Sequence, residues 1–437
     1  MRLKYLVIIF LTLFLPAQLY AITLEEERKY GQEIYLQIAN SAKINNDPYI
    51  SIYLQNIKNS LESASNLPFP IVLTIIESNA VDAFATIGGY VYLTTGLIGM
   101  CDKEEEVAGV MAHEFAHIAK RHVAKRLEKE KYINIGMLAT LIAGILIPDP
   151  KAKETILATG SASAMALSLK YSREDEDEAD RVGAYIADRA GYGALGTADF
   201  LKKLRSGAGD KVLPQYLLTH PYHEERIVKI ESAWAGSKSR IDGTFFPYLL
   251  VRVKVLHSPL KEGTRDMWIN RYAKNRNDPQ NAYGMSLMFS LTGNTKESVH
   301  IARGMNSPYS NMFLGEILVN ARQFEDAIGV LRDETSPISR FFLAKAYEGH
   351  GDREMALNIF GELLQYGKIY PDIYYRYGML MGRSGNQGRG YEYLGRYYME
   401  TGKQDIARSN FEKAITKYGI NSPEAKDILK LLDKIKK

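Results

Sequence analysis

The chain is poor in three things, and each scarcity excludes something. It has one cysteine, Cys101, in 437 residues. A lone thiol closes no internal disulfide, so stability must come from buried cores, which this length permits. No cysteine follows Ala21 at the place where an N-terminal lipid anchor would need one. Charge of one sign is also missing. The 55 Lys and Arg nearly match the 51 Asp and Glu, so there is no electrostatic case for nucleic acid as a partner. Finally, no apolar run reaches the ~20 residues that cross a bilayer.

Two shorter apolar runs remain. Leu6 to Leu15 follows Arg2 and Lys4 and precedes a small residue, Ala21. That is the layout of a secretory signal, so residues 1–21 are expected to be removed near Ala21 and the rest to work in a bacterial periplasm. Loss of Arg2 and Lys4 leaves 53 basic and 51 acidic residues. The second run, residues 132–147, is apolar for sixteen residues and stops at Pro148. It reads as a buried helix or hairpin, or as a segment that covers the site or makes peripheral membrane contact.

What is present divides into two halves. In the first, Tyr90-Val91-Tyr92-Leu93-Thr94 alternates as a strand does, between Gly88-Gly89 and Gly96. A helix follows, with Asp102 as expected N-cap and Glu105 three residues on. Residues 236–263 look like a linker around a short apolar stretch. Beyond them a four-position pattern of small and large residues recurs in Gly315/Leu318/Ala327/Leu331, Ala344/Tyr347/Ala356/Phe360, Gly378/Met381/Gly390/Leu394 and Gly395/Tyr398/Ala407/Phe411. This is tetratricopeptide-repeat grammar. The sets are spaced by 29, 34 and 17 residues, and the short interval implies one helix shared between two units.

The chemistry centres on His113-Glu114-Phe115-Ala116-His117. Four helical steps leave ~40° between two side chains, so His113 and His117 can hold one Zn²⁺. Glu114 projects beside the metal, where a carboxylate can take a proton from a zinc-activated water attacking a peptide bond. Apolar neighbours Val107, Val110, Met111, Phe115 and Ile118 make the helix largely buried, where an unpaired His-Glu-His set would be costly. His122 is five steps on, turned ~140° from His117 if the helix continues, and is set aside as structural.

A third ligand must come from elsewhere. Residues 174–180 hold six carboxylates in seven positions. On a helix only Glu176 and Asp180 share the face of Ala179, Gly183, Ile186, Ala187 and Ala190, the face that packs inward. Glu176 is therefore the expected ligand. Asp180 is expected to accept a hydrogen bond from a ligand imidazole and fix its tautomer. Ala179 and Gly183 would let the two helices approach closely.

His113-Glu114-Phe115-Ala116-His117, Tyr171-Ser172-Arg173 and Glu176-x-x-x-Asp180 resemble the zinc peptidase family of the HtpX heat-shock protease and the CAAX prenyl proteases. Ala83-Phe84-Ala85, Gly88-Gly89-Tyr90-Val91-Tyr92 and Gly96-Leu97 match the strand before that family's catalytic helix, with Asp82 where Asn is frequent. With a signal at one end and repeats at the other, the chain is similar to the BepA-type proteases of outer-membrane protein assembly. The resemblance implies a mainly α (α+β) chain. A zincin-like helical metallopeptidase domain with a small β-sheet, residues 22–250, precedes an α-helical repeat array, residues 264–437. It implies one Zn²⁺ per chain on His113, His117 and Glu176, with Glu114 as base. Thr219-His220-Pro221 and Arg226 match a family segment, so His220 and Arg226 are expected to stabilise the oxyanion or contact zinc at rest. Gly88, Gly89, Tyr90, Val91 and Tyr92 are the expected strand for substrate addition. Protein clients would be outer-membrane proteins and their assembly machinery, held by the repeats. Two readings stand: an active zinc endopeptidase, or a chaperone or assembly scaffold with a resting, autoinhibited site.

Overall fold

The computed structural model describes residues 21–129, 170–207, 215–257 and 262–436. The expected signal, apart from Ala21 itself, and the apolar stretch at 132–147 lie outside them. Among the described residues no helix is long and apolar enough to cross a membrane.

The first half opens with helices α1 (Leu24–Ser41) and α2 (Pro48–Ser63), each started by a side-chain cap from Thr23 and Asp47. A three-stranded sheet follows, β1 (Val72–Ile76), β2 (Ala83–Thr86) and β3 (Tyr90–Thr94), in the order β1-β3-β2. β3 pairs in parallel with β1 and antiparallel with β2, Val91 lying opposite both Leu73 and Ala85. This corrects the expectation that Gly88, Gly89, Tyr90, Val91 and Tyr92 receive substrate. A strand bonded on both sides has no free edge to offer. The free edge on this side of the sheet, among the described residues, belongs to β2.

After the short α3 (Thr95–Met100), helix α4 (Glu104–Ala119) carries the His-Glu-His set. Its N-cap is Lys103, without a side-chain cap, rather than Asp102; the Asp102 amide instead donates to Glu106 Oε2 at 3.0 Å. The helix stops at Ala119, Arg121 takes a left-handed φ of 56°, and α5 (His122–Lys129) sets off in a new direction. Helix α6 (Arg173–Arg189) starts in a capping box of Ser172 and Asp175. It lies flat on α4: a Cβ built on Gly183 would stand 2.9 Å from His113 Cα. Helices α7 (Gly196–Gly207), α8 (Tyr216–Thr219) and α9 (Glu224–Ala233) complete this half.

The stretch expected as a linker is a buried helix, α10 (Phe246–His257). The boundary expected at residue 250 therefore falls inside an element, and one apolar core runs unbroken from Tyr49 in α2 to Leu380 in the repeats. α11 (Glu262–Lys274) leads into antiparallel pairs: α12 (Pro279–Leu291) with α13 (Thr295–Arg303), α14 (Ser310–Asn320) with α15 (Phe324–Leu331), and α16 (Pro337–His350) with α17 (Arg353–Glu362). They are followed by α18 (Asp372–Arg383), α19 (Gln387–Glu400), α20 (Gln404–Tyr418) and α21 (Pro423–Lys436).

Each small-residue position is where a second helix presses in. A Cβ on Gly315 would meet Leu331 at 2.4 Å, one on Gly378 the Gly390 carbonyl at 3.0 Å, and one on Gly395 Phe411 at 2.5 Å. α19 is the shared helix that the 17-residue interval implied. A fifth unit escaped the pattern: Ser286 and Ser298 occupy its small positions, twelve residues apart. Each hydroxyl reaches the other's carbonyl, at 2.9 and 2.8 Å.

Candidate metal centre

Helix α4 aims His113, Glu114 and His117 at α6, and all three are fully buried. α6 answers with Glu176 and Asp180, as the inward-face reading expected, while Asp177 and Glu178 stay more exposed. The loop after α8 brings in His220, and α9 brings in Arg226; both are buried.

Four donor atoms converge. His113 Nε2 lies 3.0 Å from His117 Nε2 and 3.3 Å from His220 Nδ1, and Glu176 Oε1 lies 3.0 Å from His220 Nδ1 and 3.5 Å from His117 Nε2. Tetrahedral bonds of ~2.0–2.1 Å set neighbouring donors about 3.3 Å apart, the centre of this range. Histidine nitrogens and a carboxylate oxygen, held that close in a dry site, fit a metal ion. Together they are the one such group of four found among the described residues.

The donors are braced unequally from behind. His113 Nδ1 is 3.0 Å from Asp180 Oδ1, an ion-pair contact on the side expected of Asp180 but without hydrogen-bond geometry. His117 Nδ1 is 2.9 Å from His122 Nδ1, and the His117 ring stacks on Tyr171 at 3.8 Å. Glu176 Oε2 meets Arg226 Nη1 at 2.6 Å. Arg226 also grips Asp180 with Nε and Nη2, at 2.7 and 2.8 Å. Those contacts correct the expectation that Arg226 faces the oxyanion or the zinc: its guanidinium is spent on carboxylates behind the donors. His220 differs. Its ring rests on Tyr216 at 4.5 Å, and its Nε2 makes no hydrogen bond, standing 3.5 Å from Glu114 Oε1.

Electrostatics follow the packing. Burial pushes the Glu176 carboxyl up, but His220 and Arg226 overcome it and hold it well below the usual carboxylate range. Burial alone would lower His113; the carboxylates of Asp180 and Glu176 instead raise it to about 9. His117, with less compensation, is driven well below the usual imidazole value by burial. Glu114 is pushed up by burial, against the pull of His220, His113 and the nearby Ala85 amide, and neither of its oxygens makes a hydrogen bond of good geometry. A carboxylate kept basic and unengaged beside a metal-binding cluster is equipped to accept a proton.

His122 and Tyr171 were not singled out as site residues by their sequence pattern. The signal for His122 was present, an imidazole just past a helix end, but the turn at Arg121 that brings it back is a tertiary feature.

A helix with two imidazoles, a carboxylate from a second helix and a free glutamate beside them is the arrangement of a metallopeptidase. Residues 51–234 match the model of Peptidase family M48, a family of metallopeptidases. The chain is 26% identical over 359 residues to the beta-barrel assembly-enhancing protease of Escherichia coli K12, covering 77% of this chain and 73% of that one. A Vibrio cholerae relative, described in the same terms, is 32% identical over 210 residues, covering 47% of this chain. The chain spans 43% of that relative's length. The mitochondrial metalloendopeptidase OMA1 of Arabidopsis thaliana is 32% identical over 152 residues, covering 35% of this chain and 29% of its own.

Proposed function

We propose that the protein is a zinc-dependent endopeptidase acting on protein clients in the periplasm, with its repeats holding clients or assembly machinery. The observation that carries this reading is the four-donor cluster with Glu114 unpartnered beside it. Three nitrogens and one carboxylate oxygen, with neighbouring separations of 3.0 to 3.5 Å and all within 4.8 Å of one another, suit zinc best. His113, His117 and Glu176 would hold it. When bound, zinc supplies a Lewis acid that polarises a peptide carbonyl and acidifies water.

The chain's own residues do the rest. Asp180 and His122 hold the rings of His113 and His117, and Arg226 holds Glu176, so these three donors stay put. His220, unbraced at Nε2, is the donor that gives way to substrate and then faces the developing oxyanion. Glu114 takes the proton from the attacking water and passes it to the leaving amine. The free edge of β2 takes the peptide as an added strand through backbone hydrogen bonds, with little sequence preference. Relatives named for beta-barrel assembly support outer-membrane proteins as the client class, and the N-terminal sequence supports export.

The second reading, a chaperone or scaffold, draws on the same four donors. A site closed by His220 resembles a structural one, which normally has four protein ligands. Both readings need the metal. Glu176→Gln should take bound zinc from one per chain to near zero and abolish casein cleavage, with the helical circular dichroism unchanged. A full zinc complement in that variant would overturn the ligand set.

A further inference from the structure

His122 and Glu178 lie outside the four donors, yet they are coupled to one of them. Arg121, in its left-handed turn, is tied by Nε to Glu27 Oε1 and by Nη2 to the Ile22 carbonyl, each at 2.5 Å. That turn swings His122 back beneath α4 until its ring is 3% exposed. There His122 Nδ1 faces His117 Nδ1 at 2.9 Å, and its Nε2 faces Glu178 Oε2 at 3.1 Å, with Asp175 Oδ1 at 3.6 Å. Lys120 Nζ holds the other Glu178 oxygen at 3.0 Å.

Two Nδ1 atoms at that distance share one hydrogen, and its owner decides what His117 can do. If the hydrogen sits on His122, His117 must carry its own on Nε2, aimed into the donor cluster. His122 Nε2 would then turn a lone pair toward the Glu178 carboxylate, a repulsive contact. If the hydrogen sits on His117 Nδ1, then His117 Nε2 is a free donor to metal, and His122 carries its hydrogen on Nε2 and gives it to Glu178. The acidic side chain thus selects the second arrangement through two rings.

We propose that His122 and Glu178 are positioning residues that fix the metal-binding tautomer of His117, with Glu178 as their solvent-side anchor. This rests on the metal reading of the site. The assignment also explains why one carboxylate on the outer flank of α6 is bonded to a buried ring.

The test combines ring tautomers with zinc retention in the full-length, zinc-loaded protein. Nitrogen-15 imidazole spectra of the unaltered chain should show His117 protonated at Nδ1 and His122 at Nε2. His122 protonated at Nδ1 would overturn the proposal without any mutation. His122→Ala should release zinc to a chelator about 10–100-fold faster. His122→Asn, whose Oδ1 can still accept from His117, should recover to within about threefold of the parent. Glu178→Ala should fall between them, and Asp177→Ala, a neighbouring carboxylate paired with Lys229, should release zinc as the parent does. If Glu176→Gln keeps its zinc, the metal reading itself fails. If Glu176→Gln loses zinc while His122→Ala retains it like the parent, only the brace is wrong.

Discussion

Two clusters in this protein bury an arginine against two carboxylates, and they are finished differently. In the first, Arg226 grips Asp180 and Glu176 behind the donor set. In the second, Arg252 of α10 grips Asp47, the cap of α2, and Glu316 of α14, through contacts of 2.6 to 2.8 Å. Tyr283 takes a further hydrogen bond at 2.7 Å, and the Arg252 guanidinium lies 4.0 Å above the Tyr49 ring. Asp47 also receives the amides of Tyr49 and Ile50. None of these four polar side chains has an unpartnered buried atom, whereas His113, Glu114, Glu176 and His220 each do. A completed network joins elements from both halves. An incomplete one, in an equally dry interior, is poised for a ligand that the chain itself does not supply.

The largest effect should come from breaking the completed network. Arg252→Met leaves Asp47 and Glu316 buried without their shared cation and should cost about 3–5 kcal/mol in urea unfolding. A loss below about 1 kcal/mol would show that the network is not what joins the halves.

Glu104 is an intermediate case, a buried carboxylate at the first turn of α4 with one oxygen unpartnered. Burial raises its pKa to about 7, against a lowering hydrogen bond from Tyr53. The folded value exceeds the unfolded one, so the stabilisation is present below about pH 4.5 and is lost as pH rises through about 7. Glu104→Gln should therefore match the parent near pH 4. At pH 8 it should be more stable by about 1–2 kcal/mol, after allowing for solvent screening. Identical pH profiles for the two proteins would contradict this.

The smallest effect belongs to the neutral counterpart in the repeats. Ser286→Ala or Ser298→Ala should each cost about 1 kcal/mol, because each removes one hydroxyl-to-carbonyl hydrogen bond and leaves the other in place, so the two losses should add. No loss from either variant in thermal unfolding would mean that these hydrogen bonds do not hold the seam.

How much of this was legible depends on how local each feature is. Glu176 and Asp180 could be picked from an acidic run because helical periodicity alone assigns a face. The strand at Tyr90–Thr94 was legible from alternation, but its central place was not, since β1 pairs with it across an intervening strand. The repeat template found glycine and alanine but missed Ser286 and Ser298, where a hydrogen-bonded pair fills the space of a close contact. His122 was set aside because five steps on a continuous helix point it away, and the helix ends at Ala119 instead. Arg252 read as part of a linker because its partners, Asp47 and Glu316, are 205 and 64 residues distant.

The central claim is that Glu114 is the proton acceptor of a metal-dependent peptidase. Its most direct test is Glu114→Gln, assayed for bound zinc and casein cleavage on one preparation. The account predicts one zinc per chain and a rate lower by about 10²–10⁴-fold. Undiminished cleavage by the zinc-loaded variant would contradict it.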